Sequence, residues 1–447
     1  MKLSDLAGKK FAIWGVIREG TIMANVADKA GAIVSLVSDK RGDSTPDELT
    51  LESGKKLTVQ KGSDALSALL DADIVCKSPG ITMHHPFVDK IKAKNIPLTS
   101  ATKLWLDEYT DKTIAVTGSK GKSTTASLLA HLMERLGFDV QLGGNIGVPL
   151  FALPKGHRWY IAELSSHQTY DIDRSPWGAV FTALFPENLD WYTSVEEYYS
   201  AKLNLAAHKP HFVVANGDNS ELHRRLPAAI TARVEWVPSN QLKVDENGAV
   251  VFKDAILIPS DKIPLLGRHN QINLCLCLRV LEMLDVDLRE NRDRLAKAVA
   301  EFAPLAYRLH PISQKTGLRW VDDGLSTSPE ATIAALETFP REEVTVLVGG
   351  HDRGLDYTSL KKYLSERNQP VTVLTIPDTG DAIAELLMDL PKHTITRCSS
   401  LEEAVKKAAE VTPKNGVVLL SPGAASFGRF KDYEARSAAF KKYIDEL

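Results

Sequence analysis

A small-residue turn between an apolar run and an amphipathic segment carries the side chains that phosphate binding requires. The stretch IAVTGSKGKSTTASLL contains Gly118 and Gly121 in its turn. Glycine lets the backbone turn tightly and approach an oxygen closely, and the N-terminus of a following helix adds N–H donors. Lys122 can place an ammonium between β- and γ-phosphates, and Ser123 or Thr124 can offer a hydroxyl to Mg²⁺. The pattern predicts a nucleotide-binding loop between a strand and a helix.

This turn departs from the strict phosphate-loop pattern GxxxxGK[ST], because Val116 stands where the first glycine should be. A surface turn with a chance GKS is the alternative, but the apolar run before it and the helical spacing after it favour phosphate binding. A phosphate loop alone does not separate kinases, ATPases and ligases. A kinase or a simple ATPase fits least, since we find no Walker-B-like strand ending in Asp and no HRD or DFG set.

The elements that must position this loop follow an alternating pattern. Short β-rich runs such as KKFAIWG, TIAVTG, WYIAEL and GVVLLSPG alternate with segments of helical apolar spacing. The alternation predicts an α/β protein with parallel sheets. Two runs near residues 232–265, RVEWV and GAVVFKDAILI, are instead interpreted as short hairpins. The turn and loop residues between these runs predict three domains, at residues 1–99, 100–304 and 305–447, with the phosphate loop in the central one.

Composition limits the classes of function. The 447-residue chain has a net charge of −3, with 44% apolar and 25% charged residues. These values indicate an ordinary globular protein with no global field that would favour nucleic acid or an anionic membrane. Its four cysteines form no CxxC pair, so neither a disulfide framework nor a zinc site is predicted. No apolar run is long enough to span a membrane, and the start lacks a signal-peptide pattern, so a cytoplasmic location and a monomer are expected.

Further motifs, in order along nearly the whole chain, resemble those of the Mur ligases. The loop VTGSKGKSTT is similar to that family's T-G-x-x-G-K-[ST]-[ST] loop. The other matching stretches are GGNIG (143–147), ELSS (163–166), PENLDW (186–191), SAKLNL (200–205), GRHNQIN (267–273), YRLH (307–310), DDGLSTSP (322–329), GGHDRG (349–354) and SPGAASFGRF (421–430). The resemblance implies a short Rossmann-like first domain, a P-loop-type ATP-binding central domain and a Rossmann-like C-terminal domain. It also implies ATP-driven amide formation through an acyl phosphate, in the synthesis of bacterial cell-wall precursors.

The resemblance further implies two Mg²⁺ sites beside the phosphate loop. Glu163, at the end of WYIAEL, and Ser123 match metal ligands of the family, and Lys202 matches a lysine that is carbamylated and so becomes an acidic ligand. The family usually has His where this chain has Asn188. An amide oxygen can still bind Mg²⁺, and Glu187 or a water is the alternative.

Nucleotide contacts are implied at four further positions. Asn270 and Asn273, in an H-N-x-x-N pattern, match residues at the adenine, although Asn270 could simply cap a helix. Arg308 matches a residue that reaches the γ-phosphate and has a catalytic role, as Lys122, Glu163 and Lys202 do. Asp323 matches a residue that accepts hydrogen bonds from the ribose hydroxyls. Both Arg308 and Asp323 would couple closure of the third domain to ATP binding.

The substrate-binding residues are implied in the same way. Ile17 occupies the second glycine position of a GxGxxG-like turn and argues against a dinucleotide cofactor. The residues that match contacts to a UDP-linked sugar are Arg18, Asp39, Ser78, Gly80, Asn145 and Ser165, with turn formation as the alternative for the last two. The residues that match contacts to the incoming amino acid are Thr327, Arg353, Ser426 and Tyr433. Arg353 can hold a carboxylate through two parallel hydrogen bonds.

The chain is nearest to the glutamate-adding branch, which extends UDP-N-acetylmuramoyl-L-alanine. WVDDGLSTSPEATIAAL resembles the variant that adds L-glutamate, whose product a partner epimerase then converts, so L-glutamate is favoured over D-glutamate. A folylpolyglutamate-synthase-like ligase is a further alternative, but the short first domain argues against it. A non-catalytic homologue is another, suggested by Asn188 and Ile17 and opposed by the intact Lys122, Glu163 and Lys202.

Overall fold

The computed structural model describes residues 1–39, 45–187, 191–313 and 315–447. The chain forms two compact units. The first unit comprises Met1–Lys262 and Ile272–Phe302, and the second comprises Ile263–Gln271 and Ala303–Leu447. Among the described residues, no helix is long and apolar enough to cross a membrane. All four cysteines are buried and none takes part in a disulfide.

The first unit opens with a six-stranded sheet in the order β3-β4-β2-β1-β5-β6. Its strands are β1 (Lys10–Trp14), β2 (Ile33–Ser38), β3 (Glu48–Thr50), β4 (Lys56–Lys61), β5 (Ile74–Lys77) and β6 (Leu98–Thr99). All neighbouring strands pair in parallel except β3 and β4. The helices that accompany it are α1 (Arg18–Lys29), α2 (Ser63–Leu70), α3 (Pro86–Ala93) and α4 (Ala101–Tyr109).

A second six-stranded sheet of the same unit carries the phosphate loop and is parallel throughout, in the order β12-β11-β10-β7-β9-β8. Its strands are β7 (Thr113–Thr117), β8 (Val140–Gly144), β9 (Trp159–Glu163), β10 (Gly178–Phe181), β11 (Phe212–Asn216) and β12 (Val234–Val237). The central strands are buried along their whole length, as parallel strands covered by helices on both faces should be. The helices that follow are α5 (Lys122–Arg135), α6 (Ser166–Thr169), α7 (Val195–Leu203) and α8 (Ser220–Ala229).

A small antiparallel sheet follows, with strands β13 (Leu242–Val244), β14 (Val250–Phe252) and β15 (Ala255–Ile258). The hairpin prediction is therefore correct for GAVVFKDAILI and wrong for RVEWV, because Val234–Val237 pairs in parallel with β11. A half-buried run of four residues has no periodicity that separates an edge strand of a parallel sheet from a hairpin strand. Helix α9 (Arg268–Met283) begins within the second unit and ends in the first, and α10 (Arg292–Ala300) lies in the first.

The second unit is built on a sheet in the order β16-β17-β21-β18-β19-β20. Its strands are β16 (His310–Ser313), β17 (Arg319–Asp322), β18 (Val344–Val348), β19 (Val371–Thr375), β20 (Thr394–Arg397) and β21 (Val417–Leu420), and only β16 runs antiparallel to its neighbour. Its helices are α11 (Pro329–Glu337), α12 (Thr358–Glu366), α13 (Gly380–Leu387), α14 (Leu401–Val411) and α15 (Tyr433–Asp445). Short 3₁₀ turns complete the chain at Leu3–Leu6, Thr110–Lys112, Leu150–Ala152, Asn204–Ala206, Ser260–Lys262 and Lys315–Gly317.

The predicted α/β class with parallel sheets is confirmed. The division into domains at residues 99 and 304 stays a prediction, since both six-stranded sheets before residue 302 lie in one unit. Residues 263–271, which the prediction places in the central domain, are grouped with the second unit.

Candidate active site

The turn between β7 and α5 requires glycine at two positions. Gly118 has φ +147° and Gly121 has φ +87°, both in the left-handed region that favours glycine. A Cβ on Gly118 would also lie 2.0 Å from Oγ1 of Thr182, and one on Gly121 would lie 3.1 Å from the amide of Asn273. Both positions therefore require glycine for their backbone conformation, and Gly118 also has no space for a side chain.

Hydrogen bonds to nearby segments of the same polypeptide hold the phosphate loop in place. The N–H of Ser119 donates to Ala183 O at 2.6 Å, and its hydroxyl lies 2.7 Å from Phe185 O and 2.8 Å from the Tyr198 hydroxyl. Thr182 donates through its hydroxyl to Lys120 O at 2.5 Å. The sequence analysis missed Ser119 and Thr182, because isolated hydroxyl residues at strand ends give no signal of what they contact.

The predicted phosphate-contacting residues occupy the start of α5. Lys122 is its first residue, and its Nζ donates to Ser119 O at 2.8 Å, so the ammonium bends back over the loop. Ser123 and Thr124 follow in the first turn and are buried. The arrangement gives an N-terminal helix turn with an adjacent cation, which suits an anionic phosphate.

Lys202, on α7, is buried against this loop. Only 2% of the residue is exposed, and its Nζ donates to Gly118 O at 2.7 Å and lies 4.9 Å from the centre of the Tyr198 ring. Burial lowers the pKa of Lys202 well below its ordinary value, the nearby Lys122 ammonium lowers it further, and the carboxylates of Glu187 and Glu163 oppose the change. A neutral, nucleophilic amine is the form that such surroundings favour.

Glu163 ends β9 beside the loop and is 1% exposed. Its Oε1 accepts from Nδ2 of Asn145 at 3.0 Å, while Oε2 is buried and has no hydrogen-bond partner among the described residues. A buried carboxylate oxygen without a partner is costly, so it fits a position that a bound cation would satisfy. Gly144 lets β8 lie close to the backbone of Glu163, because a Cβ on Gly144 would lie 2.3 Å from the carbonyl oxygen of Glu163.

A pocket of about 430 Å³ opens over these groups within the first unit. Six of the predicted residues line it: Arg18, Gly80, Lys122, Asn145, Ser165 and Lys202. Glu187 also lines it and forms an ion pair with Lys120. Asn188, the predicted second-metal ligand, lies outside the described residues. Within the described part of the chain, no three His, Cys, Asp or Glu side chains group as a metal site.

Several predicted UDP contacts make hydrogen bonds within the protein. The Ser78 hydroxyl donates to Gly15 O at 2.8 Å. Asp39 accepts from Nε1 of Trp14 at 3.0 Å and pairs with Nε2 of His85 at 3.0 Å. Ser165 caps α6, accepting from the N–H of Gln168 at 3.3 Å. These bonds supply a structural role for each of the three residues, and substrate contact stays a prediction for them.

Sequence reasoning missed a half-buried carboxyl on the pocket wall. Glu19 lies in the first turn of α1 and lines the pocket beside Arg18. Burial raises the pKa of Glu19, while a hydrogen bond from Gln168 and the charge of Lys77 lower it. Lys77 is itself 2% exposed, and burial lowers its pKa. No local pattern marks either residue, because their burial arises from tertiary packing alone.

In the second unit, the carboxyl end of β17 leads into Asp323. Its Oδ1 accepts from the N–H of Leu309 at 3.2 Å, and its Oδ2 accepts from the Ser421 hydroxyl at 2.8 Å. Burial raises the pKa of Asp323 to about 7, although these hydrogen bonds and the Arg308 charge oppose the rise. Asn270 also lies in this unit and donates to Leu266 O at 2.7 Å, whereas Asn273 belongs to the first unit.

The predicted amino-acid contacts lie on loops of the same sheet. Arg353, after β18, is exposed, and its guanidinium lies 5.5 Å from the centre of the Phe427 ring. Thr327 lies in the loop before α11, Ser426 is buried after β21, and Tyr433 begins α15. Parallel strands that end at one edge bring their following loops to the same side of the sheet.

Arg436 joins two of these loops and was missed by the sequence analysis. It is 1% exposed and donates to the carbonyls of Ala424, Ala425 and Gly324 at 2.9–3.2 Å. Burial lowers the pKa of Arg436 to about 10, and the charge of Asp322 opposes this. The charged residues of helix α15 have the spacing of a solvated face, so no sequence pattern predicts a buried guanidinium there.

Comparison with known proteins identifies the family of this chain. Residues 116–281 match the family model described as Mur ligase middle domain. A UDP-N-acetylmuramoyl-L-alanine–L-glutamate ligase of Salinispora tropica is 43% identical over 99% of both chains. A ligase of the same name from Xanthomonas oryzae pv. oryzae is 35% identical, over 98% of this chain and 96% of its own.

Solved structures agree on the fold. The UDP-N-acetylmuramate-alanine ligase of Thermotoga maritima is similar with a TM-score of 0.58 and 19% identity, over 98% of this chain and 100% of that one. The MurF ligase of the same organism, solved in complex with ADP, gives a TM-score of 0.58 and 16% identity, over 99% and 97%. From the full-length relatives and the matching family model, the chain belongs to the Mur ligase family of enzymes.

Proposed function

We propose that the protein joins L-glutamate to UDP-N-acetylmuramoyl-L-alanine, using ATP and an acyl phosphate, in peptidoglycan precursor synthesis. The observation that carries this proposal is that a buried lysine, Lys202, and a buried carboxylate, Glu163, both lie beside the phosphate loop. One amine is desolvated 2.7 Å from Gly118 O, and one carboxylate oxygen is buried without a partner. The names of relatives that match the whole chain support the substrates.

ATP would place its terminal phosphates on the N–H groups of residues 118–124. Lys122 would then leave Ser119 O, 2.8 Å away, and bind phosphate oxygens. The acceptor carboxylate attacks the γ-phosphorus, which forms the acyl phosphate and releases ADP. The glutamate amine then attacks the acyl carbon, a proton leaves the nitrogen, and inorganic phosphate departs as the amide forms. Asn270, Asn273, Arg308 and Asp323 stay predicted contacts to the nucleotide.

Mur ligases use Mg²⁺, and the residues present fit it. Ser123, Glu163 and a carbamylated Lys202 would hold one ion, and Asn188 or Glu187 would contribute to a second. Bound Mg²⁺ supplies positive charge that offsets repulsion between phosphate and carboxylate. The lysine amine gains CO₂ and loses a proton to become the carbamate, which keeps one N–H to donate to Gly118 O. The lowered pKa of Lys202 favours the neutral amine that this step needs.

Arg18, Gly80, Asn145 and Ser165 line the pocket that we assign to the UDP-linked acceptor. Asp39 and Ser78 stay predicted contacts to the same acceptor. We assign glutamate to the second unit's Thr327, Arg353, Ser426 and Tyr433. An L-glutamate product requires an epimerase downstream if the cell wall contains the D-form. Nucleotide-sugar and ATP substrates favour a location in the cytoplasm. A monomer with no nucleic acid or membrane partner stays a prediction.

The test uses the purified chain with ATP, Mg²⁺ and UDP-N-acetylmuramoyl-L-alanine. Phosphate release and product mass are followed with L-glutamate, with D-glutamate and with neither. We expect turnover with L-glutamate and at most slow turnover with D-glutamate, while phosphate release requires both acceptor and amino acid. Turnover with D-glutamate alone would assign the enzyme to the D-glutamate-adding ligases. No amide with either enantiomer would contradict the proposed reaction.

A further inference from the structure

The loop between β5 and α3 is attached to the segment that precedes α7. We call residues 78–85 the acceptor loop, because Gly80 within it lines the pocket. The indole N–H of Trp191 donates to Gly80 O at 3.3 Å, and the Thr82 hydroxyl donates to Trp191 O at 3.1 Å. One tryptophan therefore contacts the acceptor loop through both its side chain and its backbone.

The other faces of the Trp191 indole are packed in an aromatic cluster. Its ring centre lies 4.5 Å from that of Tyr192, 4.6 Å from that of His167 and 5.4 Å from that of Tyr170. His167 also lines the pocket. Packing of this kind fixes the direction of the indole N–H, so the hydrogen bond to Gly80 costs little ordering.

The same two segments meet again at Glu197 in the first turn of α7. Its Oε1 lies 2.6 Å from Nε2 of His84, and Oε1 also accepts from the Tyr170 hydroxyl at 2.6 Å. Its Oε2 accepts from the N–H of Thr193 at 2.7 Å. Because α7 also carries Lys202, the acceptor loop is joined to the helix that presents the buried amine.

The acceptor loop is held on its inner side by Lys77. The buried ammonium donates to Ile81 O at 2.7 Å and to Ser78 O at 3.2 Å, and it lies 5.8 Å from the Trp191 ring centre. The bonds from Lys77 join residues within and next to the acceptor loop. The bonds that join the acceptor loop to α7 and the segment before it are those of Trp191 and Glu197.

We propose that Trp191 is a positioning residue: it holds Gly80, on the wall of the pocket, against the helix that carries Lys202. The acceptor then binds to a pocket wall that is already ordered. Preorganisation of this kind raises affinity by removing the cost of ordering the acceptor loop on binding. The inference rests on the proposed function only in assigning the pocket to the UDP-linked acceptor.

The main test is Trp191→Phe, which keeps an aromatic ring in the cluster and removes the indole N–H that donates to Gly80 O, together with part of the ring contact. Trp105→Phe is the matched control, since Trp105 is buried and donates its indole N–H to Thr113 Oγ1 at 3.1 Å, away from the pocket lining. We expect Trp191→Phe to raise the acceptor KM about 3- to 10-fold, as one lost hydrogen bond predicts. The kcat and the KM for ATP should stay within about twofold of wild type.

A second measurement needs no turnover. In the substrate-free protein, amide hydrogen exchange at residues 81–85 should be faster in Trp191→Phe than in wild type and unchanged in Trp105→Phe. An unchanged acceptor KM in Trp191→Phe, or an equal rise in both variants, would overturn the positioning role. If wild type forms no amide at all, the proposed function fails, while unchanged exchange in Trp191→Phe would still refute the inference by itself.

Discussion

Buried charged groups are partnered differently at the carboxyl ends of the parallel strands in two sheets of this chain. Beside β7 and β9, Lys202 is desolvated and Glu163 keeps a buried oxygen without a protein partner. Beside β17 and β21, Asp323 accepts from an N–H and a hydroxyl, and Arg436 donates to three carbonyls through its terminal nitrogens while its Nε is buried without a partner among the described residues. The first edge is incomplete, because a buried carboxylate oxygen has no protein partner there, and it suits ligands and metal. At the second edge the buried carboxyl and guanidinium are bonded mainly to the protein itself, and exposed groups such as Arg353 lie on the loops.

The largest expected effect tests the incomplete edge at Lys202. Lys202→Ala should lower kcat at least about a thousandfold, because a metal ligand and a fixed charge are lost together. Added short carboxylic acids should restore part of the activity by occupying the place of the carbamate. A mass increase of one CO₂ on wild type, absent from the variant, is the direct measurement. Activity near that of wild type would contradict the role of Lys202.

Lys122→Ala should lower kcat about a hundredfold, since one charge contact to the transferred phosphate contributes a few kcal/mol. Lys112→Ala is the control, because Lys112 is exposed and precedes the opposite end of the same strand. Steady-state kinetics of both variants compare the two ends of β7. Similar kcat values for the two alanine variants would show that Lys122 does not contact the transferred phosphate.

At the second edge, Arg353→Ala should raise the KM for glutamate about 10- to 100-fold, the value of a charge-assisted hydrogen-bond pair. Arg397→Ala removes an exposed guanidinium from the end of β20, where it pairs with Asp381 and Glu385, and should change little. The KM for ATP serves as an internal reference. If Arg353→Ala leaves the glutamate KM unaltered, the carboxylate binds elsewhere.

The smallest expected effect is a pH dependence of stability at Asp323. Its pKa is about 7 in the folded chain and roughly 4 when unfolded, so the folded form binds the proton more tightly. Stability from this group is therefore present below the unfolded pKa and is lost as the pH rises through the folded pKa.

Between about pH 5 and about pH 8, the Tm of wild type should accordingly fall about 2–6 °C more than that of Asp323→Asn. Asp389→Asn, at a surface carboxylate paired with Lys361, should follow wild type over this range. Equal slopes for wild type and Asp323→Asn would show that Asp323 is ionised throughout the range.

The contrast between the edges also explains what the sequence could predict. The phosphate loop was predictable because its strand, turn and helix are consecutive, and its glycines and lysine carry the chemistry locally. That Gly118 must be glycine because of Thr182, or that Lys202 donates to Gly118 O, depends on residues far apart in the chain. Glu19, Lys77 and Arg436 were missed for the same reason, since only tertiary packing half-buries Glu19 and buries the other two.

A crystal structure with ADP and Mg²⁺ tests the central claim most directly. We expect the β-phosphate on the N–H groups of residues 118–124 with the Lys122 ammonium turned towards it. Electron density for a carbamate on Lys202 should lie at a metal ion that also contacts Glu163. A nucleotide bound away from this loop, or an unmodified Lys202 that contacts no metal when CO₂ is supplied, would contradict the account.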